Sequence, residues 1–385
     1  MVDVYTSFIE NERQKELFEK AVRLAEQAKK HAPQSDRDAR FSVEVLKELK
    51  KEHYFSLPLP EKLGGEDLSL YEFLLLQERL AVGDGSVALS VGWHLGILME
   101  LRDEKLWEEE KFKQISEEIS KHQVVMNRAA SEPATGSPTR GGKPETNAKK
   151  DGDGYVLNGR KTFTSMADAL DYFIVTASIE AEDQVGWFLI HKDTPGLTVD
   201  HTWDTLGMRG TASDDLILNN VHVNADNLVE LAGKKKSQPK GWLLHIPACY
   251  LGIAIAARND AIAFAKDFQP NSLDHPISEV PHIQQKIGEM EMKLMHARTF
   301  MYAVAEKWDR APERRNELEA ELAVVKTVAT NAANEVVDLA MRIAGGRGLS
   351  KTYPFEKYCR DVRAGLHNPP MDDAVLGMLA KRATK

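Results

Sequence analysis

Two cysteines, Cys249 and Cys359, are all the sequence has, and neither has a second Cys at metal-ligand spacing. That excludes a disulfide framework and a thiolate metal site, and predicts core thiols in a reducing cytoplasm. Basic residues are short as well: 50 Lys and Arg stand against 59 Asp and Glu, with no basic stripe. A nucleic-acid surface is not expected from that balance, and small-molecule ligands are. No run approaches the roughly 18 apolar residues that cross a bilayer. The opening MVDVYTSFIENERQKELFEK lacks an apolar core flanked by small residues. The expectation is a cytoplasmic protein with no export signal and no membrane span. Low-complexity tracts and internal repeats are also missing, which excludes a solenoid.

What is present divides into three textures, and 385 residues suit two or three packed domains. Apolar residues recur at helical spacing through Phe18, Val22, Leu24 and Ala25, then Phe41, Val45, Leu46 and Leu49, then Ser69 to Val82. This predicts an all-helical N-terminal domain over 1–122, with Asp67 or Ser69 capping the helix after KLGGEDLS. DGSVALSVGWHLGILMEL reads as a buried helix. From residue 123, VVMNRAAS, GYVLNGRKTFTS, DYFIVTAS, GWFLIHK, LTVDHTW and DDLILNNVHV are short alternating or β-branched runs between turn clusters. They predict a central antiparallel β domain over 123–235. KKKSQPK at 234–240 reads as an exposed linker. Three long helical segments then predict a C-terminal helical bundle over 236–385.

Four segments carry chemistry. ASEPATGSPTRGG places Ser131, Thr135 and Ser137 where hydroxyls and backbone N–H groups suit a planar ring edge or a phosphate, although any polar loop has this composition. In NGRKTFTS, Phe163 lies two residues before Ser165; an aromatic stacks on a flat cofactor, or simply faces one side of a hairpin strand. LGMRGTASDD sets Arg209, Thr211 and Ser213 before a strand. GGRGLSKTYPFEKYCRDVR begins with glycines that admit close backbone approach, or that cap the preceding helix.

In this order, over essentially the whole chain, the segments resemble the acyl-CoA dehydrogenase superfamily. SEPATGS is similar to its Thr-Glu-Pro-Gly-Ala-Gly-Ser loop, NGRKTFTS to its Asn-Gly-x-Lys-x-Trp-Ile-Thr segment, and LGMRGTASDD to its substrate-side strand entry, which implies Arg209, Thr211 and Ser213 as candidate substrate contacts. The resemblance implies an α+β, mostly α fold: a helical domain, a central antiparallel β-barrel or sandwich, and a C-terminal four-helix bundle. It also implies a flavin, FAD first and FMN as the alternative. Ala130 and Ser131 would face the flavin pyrimidine edge, with Ser137 near the phosphate or substrate. Phe163 takes the place of the stacking Trp, and Ser165 that of the Thr bonding the flavin near N5. A homotetramer, as a dimer of dimers, or a homodimer would bring Arg342, Gly345 and Gly346 to the cofactor of an adjacent subunit.

Two departures stand out. Counted from Arg360-Asp361, the family's catalytic Glu falls on Pro369, and the alternative base position on the first bundle helix falls on Trp242. Asp372 and Asp373 are the nearest carboxylates along the chain. Where the family places an Arg on a partner's diphosphate, the chain has Asp267. Both departures resemble the reduced-flavin monooxygenases of this fold, such as dibenzothiophene monooxygenase, whose Leu-His-Asp-Pro motif LHNPP at 366–370 is similar to. There the prolines would shape a loop presenting His367 to the flavin, with His94 a second pocket candidate or a satisfied core residue. Three functions follow. The first is α,β-dehydrogenation of an acyl-CoA thioester, with hydride to flavin N5 and an electron-transfer flavoprotein as partner. The second is monooxygenation of a small sulfur- or nitrogen-containing or aromatic substrate, with a flavin reductase. The third is non-catalytic binding of flavin or acyl thioester.

Overall fold

The computed structural model describes residues 6–135, 142–180, 183–233 and 238–384. The N-terminal helices are α1 (Glu12–Asp38), α2 (Val43–Lys51), α3 (Leu70–Gly83), α4 (Gly85–Glu104) and α5 (Glu109–His122). Their starts are written in the local sequence. The Asn11 side chain accepts from the Gln14 N–H, and Ser69 with Glu72 closes a capping box at α3. Asp84, between α3 and α4, accepts the Ser86 N–H. Of the two candidate caps for α3, the structure uses Ser69.

The middle of the chain forms one sheet of β1 (Met126–Ala129), β2 (Asn147–Asp151), β3 (Gly154–Thr164), β4 (Tyr172–Ile179), β5 (Gln184–His191), β6 (Leu197–Asp200), β7 (Asp214–Asn224) and β8 (Leu228–Leu231). The order is β6-β7-β3-β2-β4-β5-β8, with β1 alongside β4. The sheet is mostly antiparallel, as expected, and two pairs depart from that: β1 and β2 both pair parallel to β4. Long connections return the chain in the same direction at both pairs, as parallel pairing requires. β2 escaped the pattern reading because NAKKD is polar and buries only Ala148.

Three long helices, α6 (His245–Asp267), α7 (Pro281–Arg310) and α8 (Glu319–Ala344), make the bundle, and α9 (Phe355–Arg363) and α10 (Asp372–Ala383) complete it. α6 lies between α3 and α8. The stretch Gly241–Asp267 is apolar and long enough to cross a bilayer, contrary to expectation, but 94% of that window is buried inside the protein. It is therefore a core helix. Arg298 on α7 reaches Glu78 on α3 through two 2.8 Å bonds, so the bundle is tied to the N-terminal helices by a buried ion pair.

Candidate functional site

The site begins at a defect in β3. Register against β7 shifts between Lys161 and Thr164, and Phe163 in that bulge has φ of 57°. A bulky residue in left-handed backbone is strained, and bulges re-aim side chains. Here the result is a Phe163 ring that is 66% exposed and held edge-on by Trp203 at 5.8 Å. Ser131 lies beside this segment: the Thr162 N–H donates to the Ser131 carbonyl at 2.9 Å, and Ala130 and Ser131 are half-buried.

Behind the bulge the hydroxyls form a chain. Ser165 Oγ lies 2.9 Å from Ser213 Oγ, which lies 2.8 Å from Thr211 Oγ1, which donates to the Met208 carbonyl at 2.8 Å. All three side chains are buried. Thr211 and Ser213, expected to touch substrate, thus stand behind Ser165. Arg209 is likewise engaged inside the fold: Nε donates to the Asp36 carbonyl at 2.8 Å, and Nη1 bonds Asp204 and the Thr205 carbonyl at 3.0 Å. It holds its loop against α1.

Two groups that sequence reasoning missed set this geometry. Lys161 and Glu132, from NGRKTFTS and SEPATGS, form an ion pair at 2.6 Å with both side chains buried. Glu132 also accepts from the Thr146 N–H at 3.1 Å, and Lys161 donates to Thr176 at 2.8 Å. Burial drives the Lys161 pKa down to about 8 while Glu132 opposes it. The second group is Asp361, which accepts the Met208 N–H and binds Lys357, itself 3.1 Å from Asp84. Arg360 pairs with Asp36 and Glu356, each at 2.7 Å. The Arg-Asp pair therefore locks the 206–209 loop to α1 and α4. The signal for both groups was in the quoted motifs, as an acid in one and a base in the other.

His94 has a structural place, which corrects the expectation that it faces a pocket. It is fully buried; Nδ1 accepts the Met126 N–H at 3.0 Å and Nε2 donates to the Phe55 carbonyl at 3.0 Å. Desolvation lowers its pKa to about 4, so the ring is neutral.

The C-terminal loop hangs on α6. The Tyr250 hydroxyl donates to Asn368 at 2.7 Å, and a Cβ on Gly365 would come within 2.9 Å of the Tyr250 ring. His367 next door is exposed. Asp372 accepts from Asn331 at 2.7 Å and Thr327 at 3.1 Å, with Lys326 at 3.5 Å, and these contacts hold its pKa low against a larger desolvation effect. It faces α8. Asp373 is exposed, and its carboxylate accepts the adjacent Ala374 N–H at 2.9 Å. Trp242 packs edge-on to Trp93 at 5.9 Å and stacks on His245 at 5.9 Å, with Gly96 against its ring.

A cavity of about 570 Å³ opens from Trp242 along β8, lined by Glu100, Arg128, Trp187, Glu230 and Lys240 among others. Arg128, two residues before Ala130, stacks over Trp187 at 4.4 Å and pairs with Glu230 at 2.8 Å. Arg342 pairs with Asp338 at 2.7 Å, and Gly345 and Gly346 are exposed beside it with open space around them. Ser137 lies outside the described residues.

An exposed aromatic on a strained bulge, a buried hydroxyl beside it and a half-open backbone edge fit a planar, hydrogen-bonding ring. With the three-domain fold, they define a flavin-dependent oxidoreductase. The chain belongs to the acyl-CoA dehydrogenase family: the N-terminal, middle and C-terminal domain models of that family match residues 11–104, 127–221 and 244–366. It is 50% identical over 98% of both chains to YdbM of Bacillus subtilis (strain 168), named as a candidate acyl-CoA dehydrogenase. Butyryl-CoA dehydrogenase from Megasphaera elsdenii shares the fold at TM-score 0.85 and 23% identity, over 98% of this chain and 99% of that one. TdsC from Paenibacillus sp. A11-2, solved with FMN and indole, does so at TM-score 0.83 and 22% identity, over 92% and 94%.

Proposed function

We propose that this protein is a reduced-flavin monooxygenase acting on a small sulfur- or nitrogen-containing or aromatic substrate. The observation that carries the reading is the missing α-proton base. Pro369 and Trp242 occupy the two positions where the family places it, and a base must be a group that can take a proton within reach of the reacting carbon. Asp372 faces α8 through Lys326, Thr327 and Asn331, and Asp373 is turned to solvent.

Phe163 would stack the flavin ring, Ala130 and Ser131 would meet its pyrimidine edge, and Ser165 would bond it near N5. When bound in its reduced form, the flavin supplies the electrons that activate oxygen. His367, exposed on the loop anchored by Tyr250 and Asn368, would be the proton donor in this reading. The cavity along β8 would take the substrate, its indole walls suiting an apolar or aromatic body. TdsC shows that this fold accommodates FMN with indole. Asp267, exposed near the end of α6, repels a diphosphate and favours FMN over FAD. A flavin reductase in the same reducing cytoplasm and a dimer or tetramer complete the reading.

A second reading, acyl-CoA dehydrogenation with an electron-transfer flavoprotein as acceptor, is favoured by the family name carried by the 50% identical relative. Anaerobic titration of flavin-loaded protein with a panel of acyl-CoAs decides between them. Under the first reading the oxidised-flavin absorbance persists across the panel, and reduced FMN with oxygen supports turnover. Bleaching by any acyl-CoA overturns the first reading and supports the second.

A further inference from the structure

The hydroxyl chain behind the bulge has a direction. Two oxygens 2.8 Å apart need a proton between them, and the Met208 carbonyl has none, so the Thr211 proton lies on that contact. A hydroxyl has one proton. The 2.8 Å contact between Thr211 and Ser213 is therefore filled by the Ser213 proton, and the 2.9 Å contact between Ser213 and Ser165 by the Ser165 proton. Every O–H in the series points inward, and Ser165 has a lone pair left to offer outward.

We infer that Thr211 and Ser213 are positioning residues that make Ser165 a hydrogen-bond acceptor, so that the site prefers reduced flavin to oxidised flavin. The inference rests on the reading that Ser165 meets the flavin at N5. In an oxidised flavin N5 is an acceptor, and two facing lone pairs repel. In a reduced flavin N5 carries a proton and donates. The same Ser165 oxygen thus satisfies one redox state and opposes the other. Burial of all three hydroxyls sharpens the contrast, because water cannot supply the missing proton cheaply in a low-dielectric interior. The Met208 carbonyl is itself fixed: it accepts the Trp203 indole N–H at 3.1 Å, and the Met208 N–H is held by Asp361. The end of the chain is therefore rigid. The Arg-Asp pair on α9 thereby acts on the flavin face of the sheet through the 206–209 loop.

The test is a pair of dissociation constants. Oxidised and photoreduced FMN, and FAD in parallel, are titrated anaerobically into the wild-type protein, Ser213→Ala and Thr211→Val. Wild type is expected to bind the reduced form roughly two- to tenfold more tightly, the range one neutral hydrogen bond allows. A tenfold ratio is a positive shift of about 30 mV in the two-electron potential of the bound flavin. Ser213→Ala frees the Ser165 proton to turn outward, so the ratio falls toward one. Thr211→Val releases the Ser213 proton toward Ser165 and has the same effect, which covers the case in which either variant does not fold. Damage to the site in general weakens both redox forms alike and leaves the ratio unmoved. An unchanged ratio in both variants overturns the inference while the flavin reading stands. Failure of either flavin to bind wild-type protein in either redox state overturns both.

Discussion

The Lys161 ammonium lies 2.6 Å from a Glu132 carboxylate oxygen, and neither side chain is open to solvent. This contact joins the loop that carries Ser131 to the strand that carries Phe163 and runs into Ser165. Removing one partner leaves a buried charge alone, so Lys161→Met or Glu132→Gln should cost about 3–5 kcal/mol. The double variant should recover most of that loss. Urea unfolding of the four proteins gives the coupling, and single variants within about 0.5 kcal/mol of wild type would sink the claim.

Acid should destabilise the fold through two histidines. The pKa of His94 is lowered to about 4 and that of His245 to about 3, both by desolvation. The unfolded chain takes these protons first, below its ordinary pKa of about 6.5. Stability is therefore full above that pH and is lost as pH falls toward 4, by about 3 kcal/mol from His94 alone. The two ring nitrogens of His245 have no hydrogen-bond partner among the described residues, so His245→Leu should flatten the profile without harming stability at pH 8. Denaturant midpoints measured from pH 8 to pH 4 check both statements. A profile unchanged in that variant would contradict the second.

The three-domain order and the long helices were legible because hydrophobic period and turn residues report them directly. β2 was not, since Asn147–Asp151 is polar and owes its strand to pairing on both sides. His94 was ambiguous for a physical reason: an apolar helix buries a functional imidazole and a satisfied one equally well, and only the Phe55 and Met126 backbone partners decide it. Nor does spacing reveal that Thr211 and Ser213 lie behind Ser165. That order is created by the turn at Arg209–Thr211, where Met208 and Ala212 both take positive φ.

Exchange at the C-terminal loop separates the chemical roles of neighbours. Asp372→Asn should leave turnover within about twofold and cost about 1 kcal/mol of stability, because the carboxylate serves Lys326, Thr327 and Asn331. His367→Ala should lower turnover with reduced FMN and oxygen by about 10²-fold or more, the usual worth of a proton donor, with little change in stability since the ring is exposed. Steady-state rates with thermal melts distinguish the two. A large rate loss in Asp372→Asn would restore that carboxylate as a base.

Charge at the end of α6 offers a test of cofactor choice. Asp267 is exposed at the place where the resemblance would put an arginine for a partner subunit's diphosphate, and Lys266 beside it is exposed too. A carboxylate near a diphosphate raises its free energy, whereas a guanidinium forms charge-assisted, often bidentate bonds to it. FMN lacks the second phosphate and the adenosine, so its affinity is expected to respond less to this position. Asp267→Arg should therefore raise the FAD-to-FMN affinity ratio by about tenfold, a shift within the range of one hydrogen bond to a charged group. Raising the salt concentration should shrink the gain, because an exposed charge is screened over a Debye length of about 10 Å at 0.1 M. Equal ratios in the two proteins at low salt would mean that the end of α6 does not meet the cofactor, and that Asp267 says nothing about which flavin is bound.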